Sequence, residues 1–205
     1  MPVRERLRAA TLQAHARVDL RFSQYDLGRI EQYRPFLQAH DAVLPGCERV
    51  LRASGAERLI ADWPCRVRAD ALAADLGTVG GTSVDGPALA LLGPAAVFGM
   101  VYVLEGSRLG GSVLARRVLA GADPRCRDAT RYLRHGEGLR LWPSFLAALE
   151  ASAEVRDDPE AAVASAVATF GLFERAAGAM QVGSSRTPTA TPRGGRLARH
   201  EQDRL

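Results

Sequence analysis

The chain contains no lysine and no asparagine; all 27 of its basic residues are arginine. Without lysine there is no Schiff-base amine and no GxxxxGK[ST] phosphate loop, and without asparagine there is no N-x-[ST] glycosylation acceptor. Cysteine is scarce too. Cys47, Cys65 and Cys126 are odd in number, widely spaced and free of any CxxC or CxxCH pattern, which reads as reduced thiols in a cytoplasmic protein. Aromatic residues make up only 6% of the chain, so the core is expected from Leu, Val and Ala. Long hydrophobic runs are also missing. The best, Ala88 to Leu104, is interrupted by Gly93 and Pro94 and reads as a buried helix beginning after the proline, not as a membrane span. The opening MPVRERLRAATLQAH lacks the apolar segment of a secretory signal.

Charge excludes another class. The net charge is +4, but the tail from Gln181 to Leu205 carries five arginines against Glu201 and Asp203, so the body is nearly neutral. A nucleic-acid footprint on the folded part is not supported.

What is present is a chain of 205 residues with 47% apolar content, enough for one globular domain with its own core. Apolar residues recur at three- and four-residue steps nearly throughout, and no strand-like alternation is sustained. The pattern predicts helices over 4–20, 27–53 (interrupted near Pro45-Gly46), 56–76 (split near Trp63-Pro64), 95–120, 128–150 (broken at His135-Gly136) and 160–180. GTVGGTSVDGP, from Gly77 to Pro87, reads as a loop. The expectation is a single all-α domain over 1–180 followed by a flexible tail, 181–205, rich in Ser, Thr, Pro and Gly.

Two stretches carry chemistry. In YVLEGSRLGG, from Tyr102 to Gly111, three glycines interrupt a helical pattern, each weakening it by about 1 kcal/mol relative to alanine. Gly106 and Gly110 lie one turn apart on one face. That face serves either close packing of a neighbouring helix or the close approach of something flat and broad, such as a planar cofactor. A phosphate cradle is disfavoured, because GSRLGG is not GxGxxG and no strand precedes it. The second stretch is LRAATLQAHARVD. Here His15 sits on a helix with a stripe of Leu7, Thr11, Ala14 and Val18, and Asp19 follows one turn later on the same face. That spacing suits an imidazole ligand whose second ring nitrogen is held by a carboxylate, and equally an ordinary half-buried histidine. The remaining histidines, His40 before Asp41, His135 in a helix break and His200 in the tail, read as surface positions.

Taken together, the two stretches resemble the haem oxygenases, in particular the bacterial biliverdin-producing group associated with bacteriophytochromes. LRAATLQAHARVD is similar to that family's proximal helix, and YVLEGSRLGG to its kinked distal helix; ATFGLFE, Ala168 to Glu174, is similar to its last helix. The resemblance covers about Leu7 to Met180. It implies a helical fold with haem, both substrate and cofactor, between the proximal and distal helices. His15 would be the iron ligand, and Gly106, Gly110 and Gly111 would approach the haem face. Arg8 would meet a propionate in place of a lysine found in some members, a role its fork suits. The resemblance further implies cleavage by O2 to biliverdin, carbon monoxide and ferrous iron. Electrons would come from a ferredoxin or flavoprotein, since the chain has no flavin or nicotinamide motif, and a bacteriophytochrome would be a recipient of the biliverdin.

Ser107 departs from the pattern. Animal members carry an aspartate there, anchoring the water that relays protons, whereas a hydroxyl orients water without being a useful acid. Thr11, Tyr102 and Phe170 are candidate lining residues beside Gly106, Ser107 and Gly110; Phe170, Phe173 and Tyr102 equally suit plain core. Arg131, Arg134 and Arg140 form a basic cluster suited to propionates, to an acidic ferredoxin or simply to solvent. Two other functions compete. A two-iron oxygenase would need Glu-x-x-His pairs, and none occurs. A haem carrier, sensor or degenerate signalling relative stays open because of Ser107.

Overall fold

The computed structural model describes residues 2–184, and among these there are α-helices and one 3-10 turn but no strand. In chain order the helices are α1 (Val3–Phe22), α2 (Ile30–Asp41), α3 (Leu44–Ala53), α4 (Ala56–Leu59), α5 (Ala69–Thr78), α6 (Pro94–Ala120), α7 (Pro124–Arg127), α8 (Arg131–Arg134), α9 (Leu141–Ala151), α10 (Ala153–Asp157) and α11 (Pro159–Ser184). The 3-10 turn is Trp63–Cys65, at the expected split.

Helix boundaries follow local chemistry. The break expected at Pro45-Gly46 falls earlier, at Ala42-Val43. Pro45 then occupies the first turn of α3, where a missing N–H leaves no bond unmade. At α11, the Asp158 carboxylate accepts from the Ala161 amide at 3.0 Å and Pro159 opens the helix. The break before α9 is made by Gly136 and Gly138, both left-handed at φ 78° and 83°. α11 continues to Ser184, four residues into the expected tail; the rest of that tail, with His200, lies outside the described residues.

α6 and α11 form the central pair. Their seam depends on Gly99, where an added Cβ would lie 2.0 Å from the Ala162 carbonyl oxygen. α1 lies along α11 in the same sense: Arg6 pairs with Glu160 at one end, Arg17 with Glu174 in the middle, and Gln181 donates to the Arg21 carbonyl at the other. α6 also runs in that sense, since Gly99 meets the start of α11, and Gly121 touches Gly28, close to Tyr25, whose hydroxyl reaches the Ala177 carbonyl. Three parallel helices result, and α9 packs against both α1 and α6.

The core uses Leu, Val and Ala as expected, with Tyr33, Phe36, Phe98 and Phe145 fully enclosed. His40 corrects its surface assignment. Its ring sits among Phe22 and Phe36 (4.5 Å each), Tyr132 (5.3 Å) and Phe173 (5.7 Å), with Nδ1 2.8 Å from the Phe36 carbonyl. Loss of solvent around the ring, aided by the Arg68 charge, pushes its pKa down to about 4 against that hydrogen bond. The adjacent Asp41 is buried as well and anchors the loop after α5, accepting from the Ser83 hydroxyl and the Val84 amide at 2.8 Å. No described helix is long and apolar enough to cross a membrane.

Candidate functional site

α1 buries Leu7, Thr11 and Ala14 and turns His15 outward, with 59% of its side chain exposed. The imidazole is nonetheless oriented. Nδ1 lies 3.0 Å from the Asp19 carboxylate, and the ring meets Phe170 edge-on at 5.5 Å. A carboxylate accepts only, so Nδ1 carries the hydrogen and Nε2 is left with its lone pair.

α6 comes to the same place by a shared contact. The Tyr102 side chain lies beside Thr11, whose own hydroxyl donates to the Leu7 carbonyl at 2.7 Å. Burial raises the Tyr102 pKa, and the Thr11 side chain and the charges of Arg4 and Arg8 oppose that rise, so both guanidiniums belong to this end of the site. Gly106 is one turn beyond Tyr102, and His15 is one turn beyond Thr11. Because the helices are parallel, the imidazole and the first bare position stand at the same level.

The three glycines of the motif divide. An added Cβ at Gly110 would meet nothing within 4 Å, and at Gly106 only the tip of the Trp142 ring at 3.9 Å. At Gly111 it would lie 2.7 Å from the Leu133 carbonyl oxygen. Gly111 is buried and serves helix packing, on the opposite side from the open strip, which corrects its assignment to a ligand face. Exposed Leu12, Leu109 and Val113 flank the strip and the histidine by helical position. Exposed apolar rims around an oriented, solvent-facing imidazole fit a flat apolar ring with a metal at its centre, and the guanidiniums of Arg4 and Arg8 fit carboxylates at its edge.

Ser107 is committed elsewhere. Its hydroxyl donates to the Leu104 carbonyl at 2.7 Å and accepts from Arg68 at 2.6 Å, leaving one lone pair for water. Arg68 also donates to the Leu104 carbonyl at 2.9 Å and stacks over Tyr132 at 4.8 Å. It belongs to a network along the buried face of α6. Arg66 binds Glu105 at 2.6 Å and Asp62 at 2.7 Å; Arg108 binds Glu105 at 2.8 Å and donates to the His135 carbonyl at 3.1 Å. The His135 ring is half-buried. Desolvation and the charges of Arg108 and Arg68 lower its pKa, so it is neutral and takes an Arg108 hydrogen at Nδ1, 3.0 Å away. Glu48 accepts the Arg68 and Ala69 amides at 2.8 and 3.1 Å and thereby caps α5.

Sequence reasoning missed this network. Glu105 and Arg108 lay inside the glycine motif at i,i+3 spacing, a usable signal; Arg66 and Arg68 fell within the helix expected over 56–76 and stand instead in the link before α5, with no local signal of their distant partners. It also missed Trp142, which lies against Gly106 and 5.6 Å from Tyr102. Phe173 packs with the His40 cluster rather than beside His15, while Arg131 pairs with Asp75 and Arg134 with Glu137. Among the described residues no three His, Cys, Asp or Glu side chains cluster as a metal site would require.

Comparison with known proteins bears on this geometry. The chain is 35% identical over 150 residues to a heme oxygenase of Xanthomonas campestris pv. campestris (strain 8004), a match spanning 70% of this chain and 87% of that one. Its fold superimposes with a TM-score of 0.72 on the NO- and CO-bound heme oxygenase from Neisseria meningitidis, at 21% identity, over 88% of this chain and 92% of that one. No family model matches the chain.

Proposed function

The chain belongs to the haem oxygenase family, and from that premise we propose that it opens haem with O2 and external electrons to give biliverdin, carbon monoxide and ferrous iron. The reading rests on one arrangement. His15, with Nδ1 held by Asp19, lies one turn beyond Thr11 on α1, and Gly106 one turn beyond Tyr102 on the parallel α6, with Thr11 and Tyr102 side by side.

Haem, when bound, supplies the iron at which oxygen is activated and is itself the ring that is cut. The chain does the rest. The Nε2 of His15 would hold the iron, with Asp19 fixing the tautomer and orientation of the ring. Phe170 limits rotation of that imidazole. Arg8, beside Tyr102, pairs with a propionate. The bare strip at Gly106 and Gly110 lets the helix backbone come close to the reacting face. The remaining Ser107 lone pair, backed by the Arg68 charge, orients a water there. Water rather than a side-chain acid is then the immediate proton source. A ferredoxin or flavoprotein delivers electrons in the cytoplasm, and a bacteriophytochrome is a recipient for the product.

A second reading is favoured by one observation: the Ser107 proton is already given to the Leu104 carbonyl, so this face offers no acid, as a haem carrier or sensor would have it. Aerobic turnover separates the two. The haem complex supplied with ascorbate or a reductase should lose its Soret band and gain a biliverdin spectrum, whereas haem that survives intact identifies the carrier. In His15→Ala the Soret band should shift or collapse while helix content stays the same. Unchanged haem binding in that variant refutes the ligand assignment.

A further inference from the structure

Trp142 is the one side chain that an added Cβ at Gly106 would touch, with Cη2 and Cζ3 both at 3.9 Å. It is half-buried, stands at the start of α9, and is 5.6 Å from Tyr102 and 6.0 Å from Phe145. α9 packs on both helices that form the slot. Tyr102 and Trp142 therefore make an aromatic wall at one end of the bare strip, and α9 carries that wall across to α1. At Gly110 the strip is open.

Behind the wall is a second space. A cleft of about 620 Å³ lies between the outer flank of α6 (Leu109, Ser112, Arg116) and the segment 133–143; its lining includes Trp142 but no residue of α1 or α11. Trp142 thus faces the slot at Gly106 and the cleft on its other side. Arg116, Arg134 and Arg108 line the cleft; Arg134 is paired with Glu137 and Arg108 with Glu105, and Arg116 is the guanidinium there without a carboxylate beside it among the described residues. Guanidiniums stand on both sides of this wall, Arg4 and Arg8 acting on Tyr102 and Arg116 lining the cleft.

We propose that Trp142 is a positioning residue that fixes the in-plane seat of the macrocycle, by closing the slot against this basic cleft, and so determines which meso carbon faces the reacting side. The inference rests on the haem oxygenase reading above. With the indole in place the ring edge stops at the Tyr102–Trp142 wall and its carboxylates turn to Arg4 and Arg8. Without it, slot and cleft merge, and a rotated seat with carboxylates toward Arg116 becomes comparable in energy.

The test compares wild type, Trp142→Phe and Trp142→Ala. The cyanide complex of ferric haem read by proton NMR reports seating without turnover, and chromatography of the bilin reports the carbon cut. Wild type and Trp142→Phe should each give one set of haem methyl signals and one bilin isomer. Trp142→Ala should give two sets and at least two isomers, the minor one above about a tenth of the product. A single set and a single wild-type isomer in Trp142→Ala overturn the inference, as does a mixture in wild type. Tighter haem binding by Trp142→Ala with an unchanged isomer also overturns it, because the indole would then occupy the ring's own place. Absence of haem binding or of any bilin in wild type is a different failure, that of the family reading itself. Trp142→Leu, too short to reach Gly106 but still apolar at the start of α9, should give the same mixture and serves if the alanine variant does not fold; a single wild-type isomer there overturns the inference equally.

Discussion

Replacing the glycines of α6 one at a time separates those that make room for a ligand from those that let helices touch. Gly110→Ala adds a methyl group into open space at an exposed helical position, so it should stabilise the haem-free protein by about 0.5–1 kcal/mol. That corresponds to roughly 1–4 °C in Tm for a chain of this size. Gly111→Ala forces a Cβ to within 2.7 Å of the Leu133 carbonyl oxygen, and Gly99→Ala to within 2.0 Å of that of Ala162; both neighbours are backbone and cannot swing aside. Overpacking of this kind costs about 1–3 kcal/mol or more, which outweighs the helix-propensity gain and is larger at Gly99. Urea unfolding of the haem-free proteins should therefore rank Gly110→Ala above wild type, then Gly111→Ala, then Gly99→Ala. Haem titration should give a different order. Gly110→Leu, neutral or stabilising without haem, should bind haem at least tenfold more weakly, about 1.4 kcal/mol. If Gly110→Leu binds and turns over haem like wild type, the open strip is not where the ring lies. If Gly111→Ala is as stable as Gly110→Ala, the packing account of Gly111 is wrong.

Two other perturbations test the interior. His40 is held near pKa 4 in the folded chain against 6.5 when exposed, so the unfolded chain binds the extra proton first; stability is complete above pH 6.5 and declines by roughly 3 kcal/mol as pH falls to about 4. His40→Phe should flatten that part of the urea-midpoint profile against pH, and an unaltered slope would show that another group is responsible. Glu105→Gln leaves the buried Arg66 and Arg108 facing each other without the carboxylate between them, and should cost about 3–5 kcal/mol in urea unfolding. A loss below about 1 kcal/mol would mean that Asp62 and the carbonyl partners hold both arginines unaided.

Periodicity made most of the fold legible. α1, α6 and α11 are long, carry apolar residues at helical steps and have proline or acidic start signals, so their existence and limits could be read directly. Where it misled, the reason is local. Proline was read as a breaker within one long helix, whereas Pro45 sits in the first turn of a new one. His40 and Asp41 looked like a polar patch because one-dimensional polarity does not reveal that Phe22, Tyr132 and Phe173 arrive from three distant segments to enclose the ring. The site divides in the same way. His15–Asp19 and the Gly106–Gly110 strip are helical spacings of three or four residues and are visible in sequence. Arg68–Ser107, Arg66–Glu105 and Trp142–Gly106 are separated by more than 35 residues, and nothing local announces them.

The charged network then answers a question that the glycines raise. Gly99, Gly106, Gly110 and Gly111 stand within one 27-residue helix, at about 1 kcal/mol each against alanine, and three of them fall within six residues. Such a helix would fray or bend at Gly106 if only its own hydrogen bonds held it. The buried face supplies what the bare face lacks. Glu105 and Arg108, on either side of Gly106-Ser107, are tied to Arg66, and Arg68 takes hold of the Leu104 carbonyl and the Ser107 hydroxyl from outside the helix. None of the Arg66, Arg68, Glu105 and Arg108 side chains meets a Cβ added at Gly106 or Gly110. Their fixed charges clamp the segment from behind, so that side chains can be absent in front. This also explains why arginine does the work. A planar fork reaches two carboxylates at once in Arg66, with Nε and one terminal nitrogen on Asp62 and the other on Glu105, which a single ammonium would not do with the same geometry.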